Sequence, residues 1–196
     1  MATEQDIRQM ATRARLHLSG DELAGIVTLV DRTGNLAPEA EVVRQFTAGT
    51  LTSPMLTFFV PRMWRYRADH SSVPTDVWRA MFERAHYTED MVVRRRPRRT
   101  RLAYRGATEQ NKEGLSWSLD VDQARYFARF RQAPKVSTAR VWVTRIPADR
   151  VFARYMDGSE KELTADVRGL QIYPLEEAYR LSRLPSLSRS PIGGGA

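Results

Sequence analysis

The chain has 196 residues, four tryptophans and no cysteine, and its 31 lysines and arginines against 23 aspartates and glutamates give a formal net charge of +8. That length can bury a real core, as one domain or as a domain with an extension, while the absence of cysteine excludes disulfides, zinc–thiolate sites and thiol nucleophiles. The positive surplus favours contact with polyanions (nucleic acid, an acidic protein or a dinucleotide), and it equally fits a soluble arginine-rich protein with no such partner.

The opening Met-Ala-Thr-Glu-Gln-Asp lacks the basic-then-apolar pattern of a signal peptide. The most apolar stretch, 55–60, is too short to span a bilayer. A soluble protein of the cytoplasm, without a membrane partner, is therefore expected. Ile7, Met10, Ala14 and Leu18 recur at helical spacing and predict an amphipathic helix over 6–18. Ser19-Gly20-Asp21 breaks it, and Asp21 can cap a second helix with Leu23, Ile26, Val27 and Val30 inside, ended by Gly34-Asn35. Pro38, as a first-turn residue, opens a third helix that buries Val42, Val43 and Phe46. The run 55–66, with Leu56, Phe58, Phe59, Met63 and Trp64, reads either as a buried helix or as a strand, and its aromatic group reads as core packing. Thr75-Asp76 precedes a fourth helix carrying Val77, Trp78, Met81, Phe82 and Ala85.

A basic connector joins the helical half to a β-rich half. Arg94, Arg95, Arg96, Arg98, Arg99 and Arg101 surround Pro97. Guanidinium groups this dense stay wet, so the run is either a solvated linker or a docking patch for nucleic acid or an acidic protein. From Thr100 onward, short alternating apolar runs predict strands at 102–104, 140–146, 151–155 and 162–172. Asp120 caps a helix over 121–130 with Ala124, Phe127 and Ala128 on one face. The expected fold class is α+β, with a helical region at 1–92, the connector at 93–101, a β-rich core at 102–180 and a flexible tail at 181–196.

Three short motifs in the β-rich half carry chemistry. Arg105 ends an apolar strand start and precedes Gly106, so it can aim a bidentate fork at a phosphate while the backbone approaches closely. Ser116 and Ser118 flank Trp117; on a strand the two hydroxyls share one face and Trp117 takes the other, into the core. Glu160 and Glu162 have the same spacing. Paired carboxylates suit a reaction passing through an oxocarbenium ion, whose positive charge they stabilise. Each motif alone is common in surface strands. His17, His70 and His86 are scattered without ligand spacing, so no metal is expected.

In this order, over roughly 100–172, the motifs resemble the arginine–serine–glutamate clade of ADP-ribosyltransferases, found among bacterial toxins and phage-borne enzymes. The resemblance extends to Tyr-Arg-Gly, Gly-Leu-Ser-Trp-Ser, Asp-X-X-X-Ala-X-X-Phe-Ala on the helix after the serines, and Ile-Pro before Val151. Trp117 departs from the Ser-Thr-Ser usual in that clade. The resemblance implies a split β-sandwich, NAD as substrate without a metal, and a setting in the producing or infected bacterial cell. It implies that Arg105 holds the NAD phosphates or the nicotinamide-side ribose and that Gly106 offers backbone groups to the nicotinamide amide. Ser116 would orient Glu162, with Ser118 beside it. Glu162 would bind the ribose hydroxyl and stabilise the oxocarbenium ion, and Glu160 would take a proton from the incoming nucleophile. Phe127 or Phe130 would stack on nicotinamide or adenine, with core packing as the alternative role, and Tyr155 and Met156 would touch substrate.

The implied activity is transfer of ADP-ribose to a protein arginine. The rivals are transfer to a nucleic-acid base, hydrolysis of NAD, and a basic nucleic-acid-binding module, through 94–101, in which the motifs coincide by chance.

Overall fold

The computed structural model describes residues 2–36, 38–66, 73–131, 138–157 and 161–178. Thr3 starts the first helix, α1 (Glu4–Arg13), with a capping box: Asp6 N–H donates to Thr3 Oγ1 and Thr3 N–H donates to Asp6 Oδ2. The helix stops earlier than its apolar spacing predicts. Arg15 takes a left-handed φ of 54°, and Leu16 N–H closes back onto the Ala11 carbonyl, an ending that usually recruits glycine. The cap of α2 (Gly20–Thr33) is Ser19, paired reciprocally with Glu22, and not Asp21; Gly34 closes the helix with φ 63°. Pro38 stands at the N-cap of α3 (Glu39–Thr47), one position before the first turn.

The ambiguous run 55–66 is helical, within α4 (Ser53–Tyr66), and every residue from Met55 to Trp64 is buried. Burial on all sides erases the amphipathic period that would have announced a helix. Aromatic contacts weld α4 to α5 (Thr75–Arg84): Trp64 meets Trp78 at 5.2 Å and Phe82 at 5.4 Å, both edge-on, and Phe82 stacks on Phe152 at 5.7 Å. Such pairs add roughly 1 kcal/mol each beyond the area they bury.

The strands are β1 (Thr88–Glu89), β2 (Val92–Val93), β3 (Arg101–Ala107), β4 (Ser116–Ser118), β5 (Arg140–Ile146), β6 (Val151–Tyr155), β7 (Glu162–Ala165) and β8 (Tyr173–Pro174). They form one sheet in the order β2-β1-β6-β7-β4-β3-β5-β8. Only the β1–β6 pair among them is parallel. The helix α6 (Val121–Tyr126) continues as a π-helical turn at Phe127–Arg131.

Two further features depart from the expectations of the sequence. The 88–93 segment, assigned to the helical region as far as 92 and to the connector at 93, is a hairpin of the sheet, and the expected boundary falls inside β2. Its two turn residues, Asp90 and Met91, both have positive φ, 49° and 63°. That is the geometry of a tight turn normally signalled by Asn-Gly or Asp-Gly. The run 162–172 is a strand only as far as Ala165.

The helices and the sheet share one core. Ile7, Ile26, Leu56, Phe59 and Met81 pack in the same buried cluster as Leu115, Phe152, Ala153 and Tyr155. A second cluster, including Ala103, Trp117, Trp142 and Leu163, fills another face of the sheet. The α6 helix covers β3 and β5 through Ala124, Val141 and Val143. The result is a mixed α and β fold, and no helix of the described residues is long and apolar enough to cross a membrane.

Candidate active site

Glu162 opens β7, and the sheet register places it between Ser118 of β4 and Tyr155 of β6. Ser118 in turn stands opposite Tyr104 of β3. Cross-strand partners project to the same face, so Tyr104, Ser118, Glu162 and Tyr155 form one row. Ser116 lies on that face too, one pair along, opposite Thr164. Ser118, more directly than Ser116, is therefore the hydroxyl facing Glu162. Ser118 Oγ accepts the Asp120 N–H at 2.9 Å.

Glu162 is only 6 % exposed. A buried carboxylate needs donors, and one arrives from the helical region: Trp64 Nε1–H donates to Glu162 Oε1 at 2.8 Å. The chain enters β7 through Lys161, whose φ is 44° and whose carbonyl accepts the Leu119 N–H at 3.0 Å. Glu160 lies outside the described residues. So does the tail 181–196.

Arg105 stands opposite Trp142, so strand alternation sends its side chain to the face away from Ser118 and Glu162. There its Nε donates to the Asn111 carbonyl at 3.0 Å and its Nη1 to the Ser116 carbonyl at 2.6 Å. Gly114 makes room for it, since a Cβ at that position would lie 2.3 Å from Nη2. The guanidinium thus grips the serine strand from behind. Arg105 therefore does not share the sheet face of Ser116 and Glu162, and spacing along the chain could not have said so, because it carries no information about register. Trp117 packs into the core as its alternation with the serines predicts, 1 % exposed.

Gly106 is needed for packing before any ligand is considered. A Cβ there would sit 2.2 Å from the Ala124 carbonyl oxygen and 2.5 Å from the Ala128 nitrogen, so α6 crosses directly over bare backbone. Phe127 lies on the same crossing, 3.0 Å from that Cβ position and edge-on to Tyr126 at 5.9 Å. It is half-buried cover for β3, not an open stacking platform. Gly106→Ala is expected to destabilise the fold by about 3 kcal/mol, because backbone rather than a flexible side chain must move. Urea denaturation measures this, and an unchanged midpoint would show that α6 can lift off the sheet.

Tyr155 is buried as well and donates its hydroxyl to the Pro61 carbonyl at 3.0 Å, so it is a wall residue. Met156 is partly exposed. The loop after β6 is tied down by Asp90, whose Oδ1 accepts the N–H groups of Met156 at 2.6 Å and Asp157 at 3.2 Å, and by the Arg65–Asp157 ion pair at 2.9 Å. Neither Trp64 nor Asp90 stood out in the sequence. Each acts across a long sequence separation, and nothing local marks such a contact.

In the basic connector Arg94, Arg95, Arg98, Arg99 and Arg101 are exposed, while Arg96 bonds to the Asp149 carbonyl and lies over the Tyr87 ring. A cavity of about 640 Å³ opens elsewhere, between β3, β5 and the 169–178 segment, lined by residues that include Tyr104, Val143, Arg145 and Leu175. None of Arg105, Ser116, Ser118 and Glu162 lines it. Among the described residues no group of three or more His, Cys, Asp or Glu could hold a metal.

Fold and site together define a mixed α and β protein with a buried carboxylate set against a serine hydroxyl on adjacent central strands. Compared with protein-family models, with curated proteins and with solved structures, the chain matches none of them.

Proposed function

We propose that this protein is a mono-ADP-ribosyltransferase of the arginine–serine–glutamate type, which moves ADP-ribose from NAD to an arginine of a target protein. The observation that carries the reading is the cross-strand pairing of Ser118 with Glu162, with Ser116 on the same face. It sets hydroxyl groups beside a buried carboxylate, whose negative charge suits a developing ribose cation. In the reaction the bond between ribose C1′ and nicotinamide breaks, and its electron pair leaves with nicotinamide. Glu162 stabilises the cation left on the ribose. A guanidinium nitrogen then forms the new bond to C1′ and gives up a proton, which Glu160 takes in the role the resemblance assigns to it. A carboxylate is fit for that role, because a guanidinium is a poor nucleophile until it loses a proton.

Arg105 acts first on the protein itself, since its fork is committed to the Asn111 and Ser116 carbonyls. Phosphate binding, which the resemblance assigns to this residue, would require it to leave those carbonyls and the face of the sheet opposite Ser118 and Glu162.

Purified protein incubated with radiolabelled NAD and cell lysate tests the reading. Nicotinamide release with label that protease removes and nuclease spares is the expected outcome. Label removed by nuclease would move the acceptor to nucleic acid, free ADP-ribose alone would make the protein an NAD glycohydrolase, and no release would reject the enzyme.

A further inference from the structure

Two residues of α4, three positions apart and so on one side of the helix, reach a directly opposed pair on the sheet. Pro61 offers its carbonyl to the Tyr155 hydroxyl at 3.0 Å, and Trp64 gives its indole N–H to the Glu162 carboxylate at 2.8 Å. Tyr155 and Glu162 are cross-strand partners of β6 and β7. The helix is thus hydrogen-bonded to the row of the sheet that holds the candidate catalytic carboxylate. Trp64 is itself locked, 5 % exposed, between the rings of Trp78 and Phe82. An indole nitrogen is a donor only. In this setting it gains a partner when Glu162 presents a carboxylate oxygen, and its ring cannot swing away without breaking the aromatic cluster.

We propose that Trp64 is a positioning residue of the active site: its indole N–H fixes the rotamer of Glu162, so that the N-terminal helices are part of the catalytic machinery and not only a cover for the core. This rests on the ADP-ribosyltransferase reading. A carboxylate whose rotamer is held by a donor on its helix side needs no rearrangement when the ribose cation forms.

Trp64→Phe keeps an aromatic ring in the cluster and removes the donor. It is expected to lower kcat for nicotinamide release by about tenfold or more, the scale of a hydrogen bond to a charged group, with the KM for NAD within about twofold. Trp64→His, which restores a ring N–H, should recover part of the loss. The contact itself is read without turnover: the Trp64 indole ¹H–¹⁵N resonance should move markedly in Glu162→Gln, where the acceptor loses its charge, and decides the matter if Trp64→Phe does not fold.

An unmoved indole resonance, or a Trp64→Phe protein with wild-type kcat, or one whose whole loss lies in KM, overturns the positioning role while leaving the proposed function standing if Glu162→Gln is inactive. A wild-type protein that releases no nicotinamide overturns both.

Discussion

Glu162→Gln is expected to slow nicotinamide release from NAD by on the order of a hundredfold or more. The substitution is unusually clean here. Glutamine has nearly the volume of glutamate and keeps a carbonyl oxygen that can accept the Trp64 indole N–H, now 2.8 Å away, so neither the packing nor that hydrogen bond need be lost. What disappears is the negative charge facing the ribose. In a site this buried the charge is poorly screened by water, and its worth to a developing cation is correspondingly large. Nicotinamide release at saturating NAD reads the effect, and calorimetric titration with NAD should show affinity little changed. A rate equal to wild type would remove Glu162 from catalysis and with it the proposed mechanism.

Asp166→Ala is expected to cost about 3 kcal/mol of stability. Asp166 comes directly after β7, is 4 % exposed, and collects three arginines: Arg168 at 2.8 Å, Arg79 of α5 at 3.3 Å and Arg150 at 3.3 Å. Burial alone would push its carboxyl up, but the hydrogen bonds from Arg168, reinforced by the charges of Arg168 and Arg79, hold it below its usual value. Removing the carboxylate leaves Arg79 largely buried, with an Nε that already lacks a hydrogen-bond partner, which is the costly way to break such a pair. Arg150 and Arg168 are half-exposed and can turn to water, which keeps the figure at the low end.

The sign of the shift sets the pH dependence. A carboxyl whose folded pKa lies below its unfolded value contributes stability that is present above about pH 4 and lost as pH falls through the folded value. The gap between wild type and Asp166→Ala should therefore be constant near neutrality and shrink in strong acid. Thermal melts from pH 7 to pH 3 measure it. A gap that stays constant down to pH 3 would show that the ion cluster contributes nothing.

The parts of the fold that were legible are those whose signal is local. Gly34 ends α2 because only a left-handed residue lets the chain turn there, and Asp120 caps α6 by accepting the Asp122 N–H. The strand at 140–146 carries its own alternation. The parts that were not legible draw their reason from elsewhere in the chain. The 55–66 run has no period because the sheet and the other helices surround it. The β1–β2 hairpin has no glycine because its strained turn is held from outside, by the Arg154 carbonyl that accepts the Asp90 N–H and by the Met156 and Asp157 N–H groups that donate to Asp90 Oδ1. The final strand, β8, is two residues long, too short for any alternation to show.

For the site the division has the same origin. Spacing alone placed Ser116 and Ser118 on one face of a strand and Trp117 in the core, since the period of a strand is a property of the backbone. It also picked out Glu162 as a carboxylate standing at the start of a strand. Which serine faces that carboxylate, and on which side of the sheet Arg105 emerges, depended on the register of β3, β4 and β7, a matter of hydrogen bonds between distant segments. The Trp64–Glu162 bond joins positions 98 apart. Only the packing of a buried helix against the sheet could create it, because an indole finds its acceptor through the geometry of the whole core and not through its neighbours in the chain.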